Sequence, residues 1–275
     1  MATTKKVTKV SSSGGTPPKA TFVPSAENKS KATQLRIIAC ILWFLGIAAQ
    51  AGAIYVLITC AKPIETISWI WIIGLLVVDF ILVVIGSQLW KKSNRLDPAS
   101  KKDKVRFFLQ NQLGVIISVI AFLPFIIFAL MNKDMSGKEK GILGGIAAVL
   151  LVAAGLLSAD FNPPSIEEYS EQSEYVQELM GVDQVYGTKS GTKYHLFDDC
   201  QYLKSDRTTE IFEGTVAALY AHNSRIKPSI SSLCSACEKR AAKAKGWTDE
   251  QLQEAKNKAL NLVFEPQEES NEETE

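Results

Sequence analysis

"IIACILWFLGIAAQAGAIYVLITC" (37–60) runs for 24 residues without a charged side chain. About 20 predominantly apolar residues are needed to cross the hydrocarbon core of a bilayer, so this stretch reads as a membrane span. Three more runs follow: "WIWIIGLLVVDFILVVIGSQLW" (69–90), "FFLQNQLGVIISVIAFLPFIIFALM" (107–131) and "ILGGIAAVLLVAAGLLS" (142–158). The last is at the short end of the range, but no polar residue interrupts it before its final serine. Four spans predict an all-α membrane bundle over 35–159. The first run starts near Leu35, too far from the first residue for a secretory signal, so no cleavage is expected.

The charged flanks orient these spans. The loop 91–106 carries seven Lys or Arg against two Asp, and the segment before the first span is basic too. Basic flanks stay on the cytoplasmic side. An even number of spans then puts both termini in the cytoplasm. Trp69, Trp71 and Trp90 stand at span ends, where amphipathic rings favour the interface. Asp79 and Gln50 are the polar exceptions inside the spans. A mid-membrane carboxyl is costly enough to mark either function or a helix-gluing hydrogen bond, and an Asp79–Gln50 bond is the simpler expectation. Pro124 is expected to kink the third span.

Outside the bundle, residues 1–34 are rich in Lys, Ser, Thr, Gly and Pro and poor in large apolar groups, which predicts a disordered basic tail. Residues 160–183 carry seven acids and no base. Ser165 and Glu168 stand in capping-box register there. Ile166, Tyr169, Ser173, Val176 and Met180 form a stripe at helical spacing. This predicts an acidic, helical linker. Over 184–264 the pattern turns mixed. "VYGTKSGTKYHLF" reads as a hairpin, "EGTVAALYAHN" (213–223) as a helix, and "CSACEKRAAKAK" (234–245) as another, with Ser232 as a cap. "GWTDEQLQEAKNKALNLVF" reads as a final helix begun by Thr248 and Gln251. Residues 265–275 read as a disordered acidic tail.

That mixed segment holds three of the five cysteines. An odd number of thiols in a reducing compartment argues against disulfides. His195 and Cys200, in "YHLFDDCQYL", together with Cys234 and Cys237, in "LCSAC", supply one nitrogen and three sulfurs. Zn2+ favours a tetrahedral shell of such donors, and Cys-x2-Cys spacing lets two thiolates reach one ion. The expected cofactor is therefore Zn2+. Four protein ligands leave no open position for a substrate, and Asp198 and Asp199 read as solvated turn residues, so the metal is expected to be structural.

These residues also resemble the small metal-binding modules related to the zinc domain of the Ada DNA-repair protein. The likeness rests on Val185, Tyr186, Thr188, Ser190, Gly191, Lys193, Tyr194, His195, Cys200, Tyr202, Leu203, Cys234 and Cys237. It covers about a fifth of the chain and none of the bundle. Such modules often trail bacterial nucleases and membrane-associated proteins, and the resemblance implies metal binding. The chain departs from the pattern in having four residues between His195 and Cys200, Leu233 in place of proline, and a longer stretch between the pairs. His222 is accordingly the alternative fourth ligand.

No Ser/His/Asp set, phosphate-binding glycine loop or paired catalytic carboxylates appears, so an enzyme is not expected. The fold class is a membrane four-helix bundle plus a small cytoplasmic α+β zinc module. The expected function is a membrane-anchored interaction module with a protein partner and no small-molecule substrate. A small transporter or channel using Asp79 is one alternative. The other is membrane-tethered nucleic-acid binding, which the mild excess of ten Lys or Arg over six acids in 185–247 does not favour.

Overall fold

A computed structural model describes residues 6–9, 22–204, 208–223, 225–227 and 229–261. The chain divides into two compact units, one spanning Ala26–Pro163 and one formed by residues 1–25 and 164–275. Residues 265–275, expected to be a disordered acidic tail, lie outside the described residues.

The first unit is the four-helix bundle: α1 (Ala26–Thr59), α2 (Thr66–Leu96), α3 (Lys104–Met131) and α4 (Gly137–Ser158). All four are long and apolar enough to cross a membrane. Their packing explains why these are spans and not core helices of a soluble protein. Trp43, Leu76, Phe122, Phe125 and Leu143 meet inside, while Phe44, Tyr55, Val149 and Met131 remain 68–73% exposed. A helix apolar on every side needs hydrocarbon around it. The fold thus places this unit in a membrane, crossed several times.

Close approach between helices depends on small residues, as expected where lipid and protein interior are equally apolar. A β-carbon on Gly86 would lie 2.7 Å from Trp43 Nε1. That indole sits in the space and donates to the Val83 carbonyl at 3.2 Å. Gly114 admits the Ser87 hydroxyl in the same way. In α4 the contacts come from Gly144, Ala147 and Ala154, whereas Gly141, Gly145 and Gly155 have open space beside them. The helix remains continuous through Pro124. Ser136 and Glu139 start α4 with a reciprocal capping box.

The second unit contains α5 (Ile166–Met180), β2 (Val185–Gly187), β3 (Glu210–Gly214), α6 (Val216–His222), a 3-10 turn (Ile230–Ser232), α7 (Ser235–Ala244) and α8 (Asp249–Asn261). An additional strand, β1 (Lys6–Lys9), completes a sheet ordered β1-β3-β2. β2 and β3 are antiparallel and β1 joins β3 in parallel. This is the expected small α+β module.

Two segment boundaries are corrected. Residues 1–34 are not a uniformly disordered tail. Residues 6–9 add a strand to β3, Phe22 donates its amide to Ser170 Oγ at 2.7 Å, and α1 begins at Ala26. Composition misses this because strand addition satisfies backbone groups and needs little apolar surface. Residues 160–183 are not a linker beside the module. Tyr169, Tyr175, Val176 and Leu179 of α5 belong to the same buried core as Val185, Tyr194, Leu219 and Tyr220. The buried face is rotated from the sequence stripe: Tyr175 and Leu179 replace Ser173 and Met180, and Ile166 is only half-buried. The helix ends are as expected, with Ser165 and Glu168 capping each other and Gly181 closing the helix at φ +80°, a conformation that suits glycine.

Candidate metal centre

The hairpin read in 185–197 is reduced to a pair of mutual hydrogen bonds. Tyr186 and His195 exchange both N–H···O=C contacts at 2.7 Å. Tyr194 then pairs in parallel with Leu233, its amide donating to the Ser232 carbonyl at 2.8 Å and its own carbonyl accepting from Cys234 at 2.9 Å. This short ladder carries His195 to the start of α7. Cys234 caps that helix and Cys237 occupies its first turn. Ser232 is not the cap, because its hydroxyl donates to the Lys227 carbonyl. Cys200 sits in a turn whose Leu203 amide donates to its carbonyl at 2.8 Å.

The four side chains converge. One donor atom from each of His195, Cys200, Cys234 and Cys237 lies within 4.8 Å of all the others. His195 Nδ1 and Cys237 Sγ are 3.8 Å apart. A tetrahedral site with bonds of about 2.0–2.3 Å has donor separations of roughly 3.5–3.8 Å, so small inward shifts would complete a shell. All four residues are at most 7% exposed. Burial pushes the His195 imidazole down to about 4 and the Cys237 thiol up to about 12. The imidazole is therefore neutral and ready to ligate at pH 7, while an arriving cation must displace thiol protons. The Leu196 amide, hydrogen-bonded to Cys237, favours the ionised sulfur.

His222 takes no part in the cluster. Its ring rests against Phe212, with centroids 3.8 Å apart. Asp199 is not a merely solvated turn residue: its carboxylate pairs with Arg240 at 2.5 Å, which holds it below the usual carboxylate range. The same guanidinium lies 4.1 Å over the Phe197 ring. Arg240 thus ties the loop carrying Cys200 to the helix carrying Cys237.

Sequence reasoning missed Glu238. It is 5% exposed, accepts from the Tyr175 hydroxyl at 2.7 Å and pairs with Lys256 at 3.1 Å. The network joins α5, α7 and α8 one residue beyond Cys237. The spacing of Glu238 within an apparently solvated charged helix offered no signal for it.

Within the bundle, Asp79 and Gln50 are 0% and 3% exposed. The expected hydrogen bond between them is absent, since neither Asp79 oxygen nor Gln50 Nε2 has a partner among the described residues. Asp79 instead lies against Gly46, where a β-carbon would come within 2.8 Å of Oδ1. An unsatisfied buried polar group costs about 1–3 kcal/mol. Asp79→Ala should therefore raise the thermal unfolding midpoint in detergent. A lowered midpoint would show that Asp79 holds something in place.

Fold and site together define a multi-pass membrane protein with a separate module whose buried His/Cys cluster can hold a metal ion. Comparison with protein families, curated proteins and solved structures finds no match to this chain.

Proposed function

We propose that this protein anchors a structural-zinc interaction module to the cytoplasmic face of a membrane and is not an enzyme. The observation that carries the reading is the burial and convergence of all four donor side chains, His195 and Cys200 from separate segments and Cys234 and Cys237 from the start of α7. A closed four-ligand shell supports folding and leaves no coordination position for a substrate. The motif likeness to Ada-type zinc modules agrees with this role, as do the basic flanks of the bundle with a cytoplasmic module. Nucleic-acid binding is less well supported. Of the three tyrosines that could offer stacking faces, Tyr194 is 1% exposed and only Tyr202, at 62%, is open.

The test is metal analysis of the purified full chain, beside His195→Ala and His222→Ala, with alkylation of its thiols followed by mass spectrometry. One zinc per chain is expected, lost with His195 and kept with His222, and Cys200, Cys234 and Cys237 should resist alkylation until a chelator is added. Zinc-loaded thiols that alkylate as fast as free cysteine would overturn the structural role. Cross-linking in intact membranes tests the interaction half. A partner captured by the wild type and lost with Cys234→Ser supports it, and no cross-linked protein at all would sink it.

A further inference from the structure

A groove of about 550 Å3 opens on the membrane bundle where three helices reach the edge of the apolar region. Arg36, Trp90, Asp103 and Arg106 line it together with Leu109 and Leu113. Their positions in the chain set its depth. Arg36 immediately precedes the apolar run of α1, Arg106 immediately precedes that of α3, and Trp90 ends that of α2. Charged and indole groups at such boundaries lie at the level of lipid headgroups. The groove therefore has two arginines against one aspartate at its mouth, at that level, and an aliphatic wall on the hydrocarbon side.

The two arginines differ in a useful way. Arg36 is already engaged: it donates to Asp97 Oδ2 at 2.8 Å and to the Asp97 carbonyl at 3.0 Å, and its guanidinium lies 5.8 Å over the Trp90 ring. Trp90 is fixed in turn by donating to the Gln110 carbonyl at 2.7 Å. The Arg106 backbone amide donates to Asp103 Oδ1, at the cap of α3. Its exposed guanidinium has no hydrogen-bond or ion-pair partner among the described residues. A free bidentate donor beside an ordered cation suits phosphate oxygens. The surrounding segment 91–106, Arg106 included, carries seven bases against two Asp, which strengthens the local attraction for anions.

We propose that this groove binds one molecule of an acidic glycerophospholipid. Its phosphate meets Arg106 at the mouth beside Arg36, and its acyl chains lie along Leu109 and Leu113. A soluble phosphate would gain the arginine but leave that aliphatic wall unused, so the lipid is the occupant both surfaces match.

The experiment is native mass spectrometry of the full chain in detergent with equal amounts of phosphatidylglycerol and phosphatidylcholine, and separately with glycerol 3-phosphate. Wild type should retain phosphatidylglycerol preferentially and should not retain glycerol 3-phosphate. Arg106→Gln should reduce the preference about fivefold, the weight of one basic residue at a charged membrane surface. Because Arg106 has no side-chain partner among the described residues, this variant should keep the wild-type melting profile. Arg36→Gln, which breaks the Asp97 pair, serves as a second variant and should also lower the preference. Equal retention of the two lipids, a preference unchanged in Arg106→Gln, or equally strong binding of glycerol 3-phosphate would each overturn the proposal.

Discussion

Cys237→Ser is expected to lower the metal content of the purified chain from one ion to near zero and to unfold the module of which α7 is part. Cys237 is 1% exposed and lies between His195, Cys200 and Cys234. Among the described residues no other His, Cys, Asp or Glu joins the cluster, and the other histidine, His222, rests against Phe212. Zinc in small structural sites contributes about 10–16 kcal/mol of apparent binding free energy at neutral pH. That is comparable to the whole stability of about 5–15 kcal/mol typical of a domain. Circular dichroism and metal analysis before and after chelation provide the measurement. A Cys237→Ser chain that keeps native hydrogen-exchange protection across α6 and α7 would show that the apolar core alone sustains the module.

The pH dependence has a definite sign. Burial lowers the folded-state His195 value to about 4 from an ordinary 6.5. In the metal-free chain the unfolded state therefore takes up this proton first as pH falls. Stability present above pH 6.5 is lost progressively toward pH 4. Cys237 acts at the other end. With its thiol raised to about 12 from an ordinary 9, the unfolded metal-free chain ionises first. Stability present below pH 9 is then lost as pH rises toward 12. With zinc bound, the thiolates are already formed, and acid competes with the metal for sulfur and imidazole alike. Zinc release and unfolding should therefore coincide on acidification of the loaded protein, while alkaline loss should belong to the metal-free form alone.

Tyr220→Ala is expected to cost about 3–5 kcal/mol, the range for deleting a large buried aromatic, while leaving one zinc per chain at low temperature. Tyr220 is fully buried, its ring stacked on Tyr169 at 5.2 Å and edge-on to Tyr194 at 6.1 Å. Its hydroxyl is hydrogen-bonded to Gln172. It thus joins α5 to the segment that carries His195. If α5 were a linker beside an independent zinc module, truncating Tyr220 would destabilise only α6 and leave α5 protection unchanged. The shared core instead predicts that hydrogen-exchange protection in α5 falls together with that around His195. Tyr220→Phe, which removes only the hydroxyl, should cost less and separates ring packing from the Gln172 contact.

Several helix ends follow from adjacent residues. Ser165 with Glu168 and Thr248 with Gln251 start helices through side-chain contacts to backbone groups three positions away, which a sequence displays directly. β3 is different. Glu210–Gly214 is a five-residue strand with two consecutive buried residues, Ile211 and Phe212. It has no alternation to announce it, and its pairing partners come from residues 6–9 and 185–187. The rotated face of α5 has the same origin. Ile166 and Met180 complete an apolar stripe as well as Tyr175 and Leu179 do, and which stripe is buried depends on where α6 and α7 lie.

By itself, then, the amino-acid sequence determined the four membrane spans, the basic flanks, the α+β character of the module and the donor types at 195, 200, 234 and 237. These rest on run length, charge and short-range spacing, which require no knowledge of distant contacts. Only the tertiary structure decided that His195 and not His222 faces the three sulfurs, that α5 and residues 6–9 complete the module, and that Asp79 meets Gly46 without bonding to Gln50. It also decided that Arg36, Trp90 and Arg106 share one groove. Each of these depends on which surfaces meet across tens of residues of chain, and burial and packing settle that only when all the elements are in place.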